Sequence, residues 1–293
     1  MKLISKLKKR LAGKVGAPLP DHVPGVEDAA GQAVPEVAQP AHWLAVAATD
    51  EQEDDNDQGF SYNPVELPLP NEKLRAAVSG PDLSHFLYIG HAWATICANY
   101  LPPQRQVLVL DVGCGVGKMA RSLALNPSVH YVGFDIYLPA IMWSRREFSR
   151  LYGERFRFEH FDGQSAMYNP NGVVPIETYL FPVEDSSVDL ALGASIFTHL
   201  YEKDMKHYFA ETARVLKPGG IALYSIHTLD ELQTFFPQSS DPGDKKIIGN
   251  EQVMLIDRDY FIELARDYGL RLHELPGRLC GQEVVAFQKP ETR

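Results

Sequence analysis

A glycine-rich loop is the first feature of this sequence that could do chemistry. The apolar segment 107–112 contains Asp111 near its end and runs directly into Gly113, Gly115 and Gly117. Glycine is needed where the backbone bends sharply and must approach a ligand closely, because any Cβ would occupy that space. The spacing is G-x-G-x-G, whereas pyrophosphate-binding loops carry G-x-G-x-x-G. A carboxylate at Asp111 would repel two phosphates, so the pattern favours a ligand that bears an ammonium group.

A second acid closes the next apolar segment, Tyr131-Val-Gly-Phe-Asp135, about 20 residues past the loop. At the end of a strand this carboxylate can accept hydrogen bonds from both hydroxyls of a ribose. The glycine loop by itself could be no more than a tight turn. The acid at the next strand end makes a nucleoside ligand the better interpretation.

The elements that must position these residues follow from the hydrophobic periodicity. Short apolar segments alternate with amphipathic stretches, which indicates βαβ units around a parallel sheet. The predicted strands are 107–111, 130–135, 156–161, 188–194, 221–227, 270–275 and 283–288. The predicted helices are 72–78, 83–100, 118–125, 138–152, 202–215 and 258–268. Five parallel units are therefore expected, followed by two final strands.

With these motifs in place, the sequence resembles the class I S-adenosylmethionine-dependent methyltransferases over residues 67–289. Besides the loop, the resemblance rests on segments 131–136, 161–163, 181–192 and 216–224. It implies a Rossmann-like, doubly wound α/β sheet of seven strands, mostly parallel with one antiparallel strand near the C-terminus. It also implies S-adenosylmethionine as the cofactor, contacted by Asp111, Gly113, Gly115, Gly117, Asp135, Ile136, Asp162, Gly163 and Ser195.

Methyl transfer is an in-line displacement at a sulfonium carbon, and a hydroxyl acceptor must also lose a proton. The segment Ser195-Ile-Phe-Thr-His199-Leu follows the fourth strand and resembles the S-x-F-T-H-L segment of a bacterial subset of the family, whose members act on saccharides or small metabolites. We predict His199 as the general base, because imidazole titrates near neutral pH. His227, at the end of the fifth strand, is the second candidate. His199 could instead cap the helix that begins near Glu202 or hold the loop.

Two further segments are expected to cover the site. Residues 71–100 resemble the lid of that subset, in which many relatives carry Arg after the glycine that is Gly90 here. This chain has His91 at that position, which leaves the contact to the methionine carboxylate unassigned. Residues 229–257 form a long insert that we interpret as an acceptor-selecting loop, since long loops inside compact domains are usually functional.

Several classes of protein and site are disfavoured. There is no uncharged apolar run of about 18 residues, so a membrane-spanning helix is not supported. The sequence has no metal-ligand pattern, and we predict no metal site. The N/D-P-P-Y motif of enzymes that methylate planar amino groups is missing. Three unpaired thiols, Cys97, Cys114 and Cys280, favour a reducing compartment, and a cytoplasmic location is predicted.

The net charge of −10 is unevenly distributed along the chain. Residues 1–14 contain six Lys or Arg and no acid, while residues 15–72 contain twelve acids and no Lys or Arg. We predict a basic amphipathic end (1–14), a disordered acidic linker (15–58) and a methyltransferase domain (59–293). Residues 1–12 could make weak peripheral contact with the inner membrane surface, dock a partner, or be a solvated basic end. The nearly neutral remainder has no basic stripe, so no nucleic-acid partner is expected.

The function predicted is S-adenosylmethionine-dependent O-methylation of a saccharide or another small molecule. Three alternatives stay open at this point: a non-catalytic S-adenosylmethionine-binding module, methylation of a protein or nucleic acid, and a nucleotide-dependent oxidoreductase. The last of these needs the G-x-x-G spacing that the loop lacks. The acceptor, the methylated atom and the oligomeric state do not follow from the sequence.

Overall fold

The computed structural model of the chain describes residues 67–102, 105–238 and 241–291. The predicted basic end and acidic linker lie outside these ranges, as do the first residues of the predicted domain, 59–66. Those predictions are therefore untested. Within the described residues, no helix is long and apolar enough to cross a bilayer.

The helices agree closely with the hydrophobic periodicity. They are α1 Glu72–Val78, α2 Leu83–Ala98, α3 Lys118–Leu123, α4 Leu138–Tyr152, α5 Glu202–Val215, α6 Leu232–Phe235 and α7 Arg258–Asp267. The bounds of α1, α4 and α5 coincide with the prediction, and α2, α3 and α7 end one or two residues earlier than expected. Side-chain caps fix several starts: Asn71, Asp82 and Asp257 each accept a hydrogen bond from a first-turn N–H. Only α6, a single short turn, was not predicted.

Nine strands are present in the described residues. They are β1 Val107–Val112, β2 Val129–Asp135, β3 Phe156–His160, β4 Val188–Gly193, β5 Leu216–Thr228, β6 Ile247–Asn250, β7 Val253–Ile256, β8 Arg271–Leu279 and β9 Gln282–Gln288. The main sheet has the order β3-β2-β1-β4-β5-β9-β8. Strand β9 runs antiparallel to both β5 and β8, while β1 to β5 pair in parallel. The prediction of a seven-stranded, mostly parallel sheet with one antiparallel strand near the C-terminus is confirmed.

The segment 229–257 differs from the expected loop. It contains the antiparallel hairpin β6–β7, and β7 pairs in parallel with the last two residues of β5, through His227 with Leu255 and Thr228 with Ile256. Met254, Leu255 and Ile256 are buried, which explains why this short segment is a strand. The prediction of a loop was therefore wrong over 247–256, which is a hairpin, and the predicted role in acceptor selection is untested. The hairpin extends the sheet at the carboxyl end of β5.

Helices cover both faces of the sheet, as expected for a doubly wound fold. On one face α5 and α7 bury side chains such as Phe209 and Phe261. On the other face α2, α3 and α4 bury Trp93, Ala120 and Phe148. Because β1, β2, β4 and β5 are parallel, their carboxyl ends share one edge of the sheet. Ligands bind at that edge in doubly wound sheets.

Candidate active site

A cavity of about 310 Å³ opens at the carboxyl edge of the sheet. Its size falls in the range of small-molecule sites. The predicted site residues in its wall are Gly113, Gly115, Asp135, Ile136, Ser195 and His199. The predicted site residues that are not in its wall are Asp111, Gly117, Asp162, Gly163 and His227. The structure therefore brings together the loop, the end of β2 and the turn after β4.

The three loop glycines have different surroundings, although all adopt positive φ angles. Gly113 and Gly115, which the sequence predicts to contact the cofactor, line the cavity. Gly117 faces the core instead: a Cβ there would lie 3.0 Å from Phe148 and 3.2 Å from Phe158. Gly117 is needed for the packing of α4 and β3 beneath the loop, and it does not line the cavity.

Asp135 ties the end of β2 to the glycine loop. Its Oδ2 accepts a hydrogen bond from the Gly115 N–H, and its Oδ1 accepts one from the Tyr137 N–H, both at 2.8 Å. Burial raises the pKa of Asp135, and these two N–H groups act in the opposite direction. Each carboxylate oxygen keeps a further lone pair. Asp135 can therefore accept ligand hydroxyl groups at the cavity wall while it fixes the loop.

Asp111 is completely buried behind the loop. Its Oδ2 accepts a hydrogen bond from the Tyr131 hydroxyl at 2.6 Å, while its Oδ1 has no hydrogen-bond partner among the described residues. Burial raises the pKa of Asp111 to about 7. The sequence predicts that Asp111 contacts an ammonium group of the ligand, but Asp111 does not line the cavity. The acid instead supports β1 and β2 from within the core.

This buried acid predicts a pH-dependent stability difference. Because its folded pKa lies above the unfolded value, Asp111 stabilises the fold at low pH, and that contribution is lost as the pH rises toward about 7. Asn cannot titrate. The free energy of unfolding of Asp111→Asn, relative to that of the wild type, should therefore rise between about pH 4 and pH 7, with a slope of at most about 1.4 kcal/mol per pH unit. Urea unfolding at several pH values measures this, and a difference that does not change with pH would contradict it.

The segment after β3 meets the cavity through residues that the sequence interpretation missed. The Asp162 carboxylate accepts a hydrogen bond from the Asn169 amide at 2.8 Å, and the Asp162 carbonyl accepts bonds from the N–H groups of Val173 and Val174. Asp162 and Gly163 thus stabilise the loop that follows them. The residues of this loop that line the cavity are Gln164, Ser165 and Tyr168.

His199 lies in the cavity wall with a defined tautomer. Its Nδ1 is 2.8 Å from the carbonyl oxygen of Glu251, at the tip of the β6–β7 hairpin. A carbonyl only accepts, so Nδ1 carries the proton, and Nε2 holds an unshared lone pair. Burial lowers the pKa of His199, with the contact to Glu251 acting against that effect. The imidazole is therefore neutral near pH 7, in the form that accepts a proton.

The alternative roles for His199 can now be compared. The residue before α5 is Tyr201, and no side chain caps that helix, so His199 is not a helix cap. The bond to Glu251 does join the turn after β4 to the hairpin. The ring also packs edge-on against Tyr168, with the centroids 5.7 Å apart. The side chain thus holds a loop and presents a basic nitrogen through the same hydrogen bond.

His227, the second candidate base, lies behind the cavity wall. Its Nδ1 is 3.1 Å from the Glu231 carboxylate, and its Nε2 is 3.4 Å from the Gln282 amide nitrogen. The Gln282 oxygen in turn accepts hydrogen bonds from the hydroxyls of Ser195 and Ser225. Both ring nitrogens of His227 therefore have partners. The structure places His227 outside the cavity wall, where it supports Gln282 and through it Ser195.

The predicted lid contributes directly to the cavity. Helices α1 and α2 and their junction supply Val78, Ser79, His85, Ile89 and Trp93 to its wall. Lys118 and Gln282 also line it, and sequence reasoning had assigned neither. The described residues contain no cluster of three or more side chains arranged to hold a metal ion.

Comparison with known proteins first defines the class of domain. Residues 109–220, which run from β1 into β5, match the family model described as a methyltransferase domain. These residues include the glycine loop, Asp135 and His199. These residues are therefore similar to a methyltransferase domain. The cavity fits S-adenosylmethionine, the cofactor that the sequence resemblance implies, since Asp135 has lone pairs free for ribose hydroxyls and Gly113 and Gly115 leave room for close approach.

Individual relatives are distant. An O-methyltransferase from Pyrenophora dematioidea is 26% identical over 134 residues, which cover 45% of this chain and 44% of the relative. The match thus spans less than half of that protein's length. A Pyrococcus horikoshii OT3 protein of known structure has a TM-score of 0.53 at 17% identity, covering 73% of this chain and 95% of its own. A Burkholderia thailandensis 1,6-didemethyltoxoflavin-N1-methyltransferase, solved with 1,6-didemethyltoxoflavin and S-adenosylhomocysteine, has a TM-score of 0.51 at 19% identity, covering 78% and 94%. The two structures share the fold of this chain.

Proposed function

We propose that the protein is an S-adenosylmethionine-dependent methyltransferase that methylates a hydroxyl group of a small-molecule acceptor, saccharides included. The observation that carries the proposal is the tautomer of His199. Its Nδ1–H is bonded to the Glu251 carbonyl, which leaves the Nε2 lone pair unshared, and the side chain lines a cavity that Gly113, Gly115 and Asp135 also line. A neutral imidazole at this point can take the proton that a hydroxyl must lose.

The residues of the chain have separate tasks in this reaction. The bound cofactor supplies an electrophilic methyl group on a sulfonium centre. Asp135 and the glycine loop orient the nucleoside portion. His199 Nε2 removes the hydroxyl proton as the acceptor attacks, and the positive charge that forms on the ring strengthens the hydrogen bond from Nδ1 to Glu251. The hairpin β6–β7 therefore stabilises the protonated base through one carbonyl oxygen.

The cavity composition supports a hydroxylated small molecule. Tyr168 and Tyr201 supply aromatic surface, and Glu251 and Gln282 supply hydrogen-bonding groups. Burial raises the pKa of Tyr168 to about 12, so its phenol stays protonated and can donate. The name of the Pyrenophora relative, an O-methyltransferase, agrees with a hydroxyl acceptor. The missing N/D-P-P-Y motif also argues against planar amino acceptors.

We also propose a location and a membrane contact. The described cysteines, Cys97, Cys114 and Cys280, are free thiols, which supports a reducing compartment such as the cytoplasm. Peripheral contact of residues 1–12 with the inner membrane surface is retained as a prediction.

Methyl transfer can be tested with the full chain. The protein is incubated with methyl-labelled S-adenosylmethionine and fractionated small-molecule and glycan extracts, and products are sought by mass spectrometry as a gain of one methylene. We expect a labelled hydroxyl product and formation of S-adenosylhomocysteine in equal amounts. Label found only in protein or nucleic acid would contradict the small-molecule acceptor. Cofactor binding without transfer to any fraction would favour a non-catalytic binding module.

A further inference from the structure

Lys118 is a cation in the cavity wall that the proposed reaction does not use. It is the first residue of α3, directly after the glycine loop. Its Nζ donates a hydrogen bond to the Ser79 hydroxyl at 2.7 Å. No ion pair joins it to a carboxylate of the described residues, and no other Lys or Arg in the described part of the chain lines this cavity. The site therefore contains one ammonium group without a counterion.

The position of Lys118 is fixed by close packing. A Cβ at Gly90 would lie 2.5 Å from the Lys118 carbonyl oxygen, so α2 lies directly against the start of α3. Burial lowers the pKa of Lys118 to about 8, while the charges of Asp111 on β1 and Cys280 at the β8–β9 turn act in the opposite direction. His85 on α2 also faces this group. A buried ammonium without an anionic partner is unfavourable, and an anion from a ligand would remove that cost.

We propose that Lys118 binds the α-carboxylate of the cofactor's methionine portion. This inference rests on the proposed function, because it takes S-adenosylmethionine as the ligand. The adenosine portion of that cofactor is uncharged, and its sulfonium and amino groups are positive, so the carboxylate is its one anionic group. Asp135 attracts neutral or positive groups and Lys118 attracts the anion. His91, where the sequence comparison expected an arginine, does not line the cavity.

Two ligands separate this contact from the rest of the site. S-adenosylhomocysteine carries the carboxylate, whereas 5′-methylthioadenosine has the same adenosine and thioether but lacks the amino-acid portion. By isothermal titration calorimetry, Lys118→Met should lower the affinity for S-adenosylhomocysteine about 10- to 100-fold, which corresponds to the loss of one charge-assisted hydrogen bond. The affinity for methylthioadenosine should not change. Lys118→Arg should retain most of the affinity for both. Unchanged binding of methylthioadenosine also shows that the Met variant is folded.

Proton uptake on ligand binding tests the charge contact directly, because a lysine with a purely structural role would not change its protonation when the ligand binds. Carboxylate binding raises the pKa of Lys118, so the wild type should take up protons when S-adenosylhomocysteine binds at pH 8.5, measured in two buffers of different ionisation enthalpy. Lys118→Arg should lack this uptake, because a guanidinium stays protonated. The difference between the two proteins isolates Lys118 from the ligand's own amino group.

The outcomes distinguish this inference from the proposed function. Equal losses of affinity for both ligands in Lys118→Met, or equal proton uptake by the wild type and Lys118→Arg, would contradict the carboxylate contact. The wild-type protein would still bind the cofactor in either case, so the proposed function would stand. A wild-type protein that binds neither ligand would instead contradict the proposed function itself.

Discussion

Replacing His199 with alanine is expected to lower kcat for methyl transfer by about 10² to 10⁴-fold, the usual contribution of a general base. Affinity for S-adenosylhomocysteine should change little, because the proton transfer does not contribute to cofactor binding. The first quantity is measured with saturating acceptor and the second by calorimetry. His130→Ala is a matched control, since His130 is exposed on β2, away from the cavity.

The pH profile gives this prediction a second readout. A base must be unprotonated, so kcat should rise with pH through the pKa of His199, which burial places below its usual value near 6.5, and then level off. His199→Ala should lack this limb. His227→Ala should lower kcat far less, since His227 acts only through Gln282 and Ser195. A profile unchanged by His199→Ala, or a larger loss in His227→Ala, would contradict the assignment of the base.

Asp135→Ala is expected to lower the affinity for S-adenosylhomocysteine by about 100-fold or more. One contribution is the loss of a carboxylate that accepts ligand hydroxyls, and another is the loss of the bonds that hold Gly115 and Tyr137. The free energy of unfolding should also fall by about 1–3 kcal/mol, because two N–H groups lose their acceptor. Calorimetry and urea unfolding measure the two effects.

Asp162→Ala provides the comparison for this variant. Its carboxylate bonds to Asn169 and does not line the cavity, so its effect on cofactor affinity should be clearly smaller. Asp259→Ala, at an exposed position on α7, should have no effect on affinity. If Asp162→Ala lowered the cofactor affinity as much as Asp135→Ala does, Asp162 would contact the cofactor as the sequence predicts, although it does not line the cavity.

Elements governed by local periodicity were predictable from the sequence. The bounds of α1, α4 and α5 and the presence of the seven strands of the main sheet follow from apolar spacing and from glycine, proline and polar residues at the ends. Two strands are longer than predicted: β5 begins at Leu216 instead of residue 221, and β8 ends at Leu279 instead of residue 275. The glycine loop and Asp135 stand out in the sequence because both lie at strand ends close together along the chain. Of these residues, Gly113, Gly115 and Asp135 line the cavity, and their contact with the cofactor stays a prediction.

Contacts between distant segments could not be predicted. His199 meets the Glu251 carbonyl across 52 residues, and Ser195 meets Gln282 across 87. Neither partner has a sequence signal of its own, because one is a backbone oxygen and the other a single amide side chain. Lys118 was overlooked for a related reason: its burial depends on the packing of α2 at Gly90, which only the fold reveals. His227 is the second candidate base on sequence grounds, because nothing in the sequence shows that Glu231 and Gln282 contact its two ring nitrogens.

The most direct test of the central claim is calorimetric titration of the full-length protein with S-adenosylhomocysteine and, separately, with NADH. We expect S-adenosylhomocysteine to bind one site per chain, with that binding strongly weakened in Asp135→Ala, and we expect NADH not to bind. Binding of NADH without binding of S-adenosylhomocysteine would contradict a methyltransferase site and would favour a nucleotide-dependent oxidoreductase.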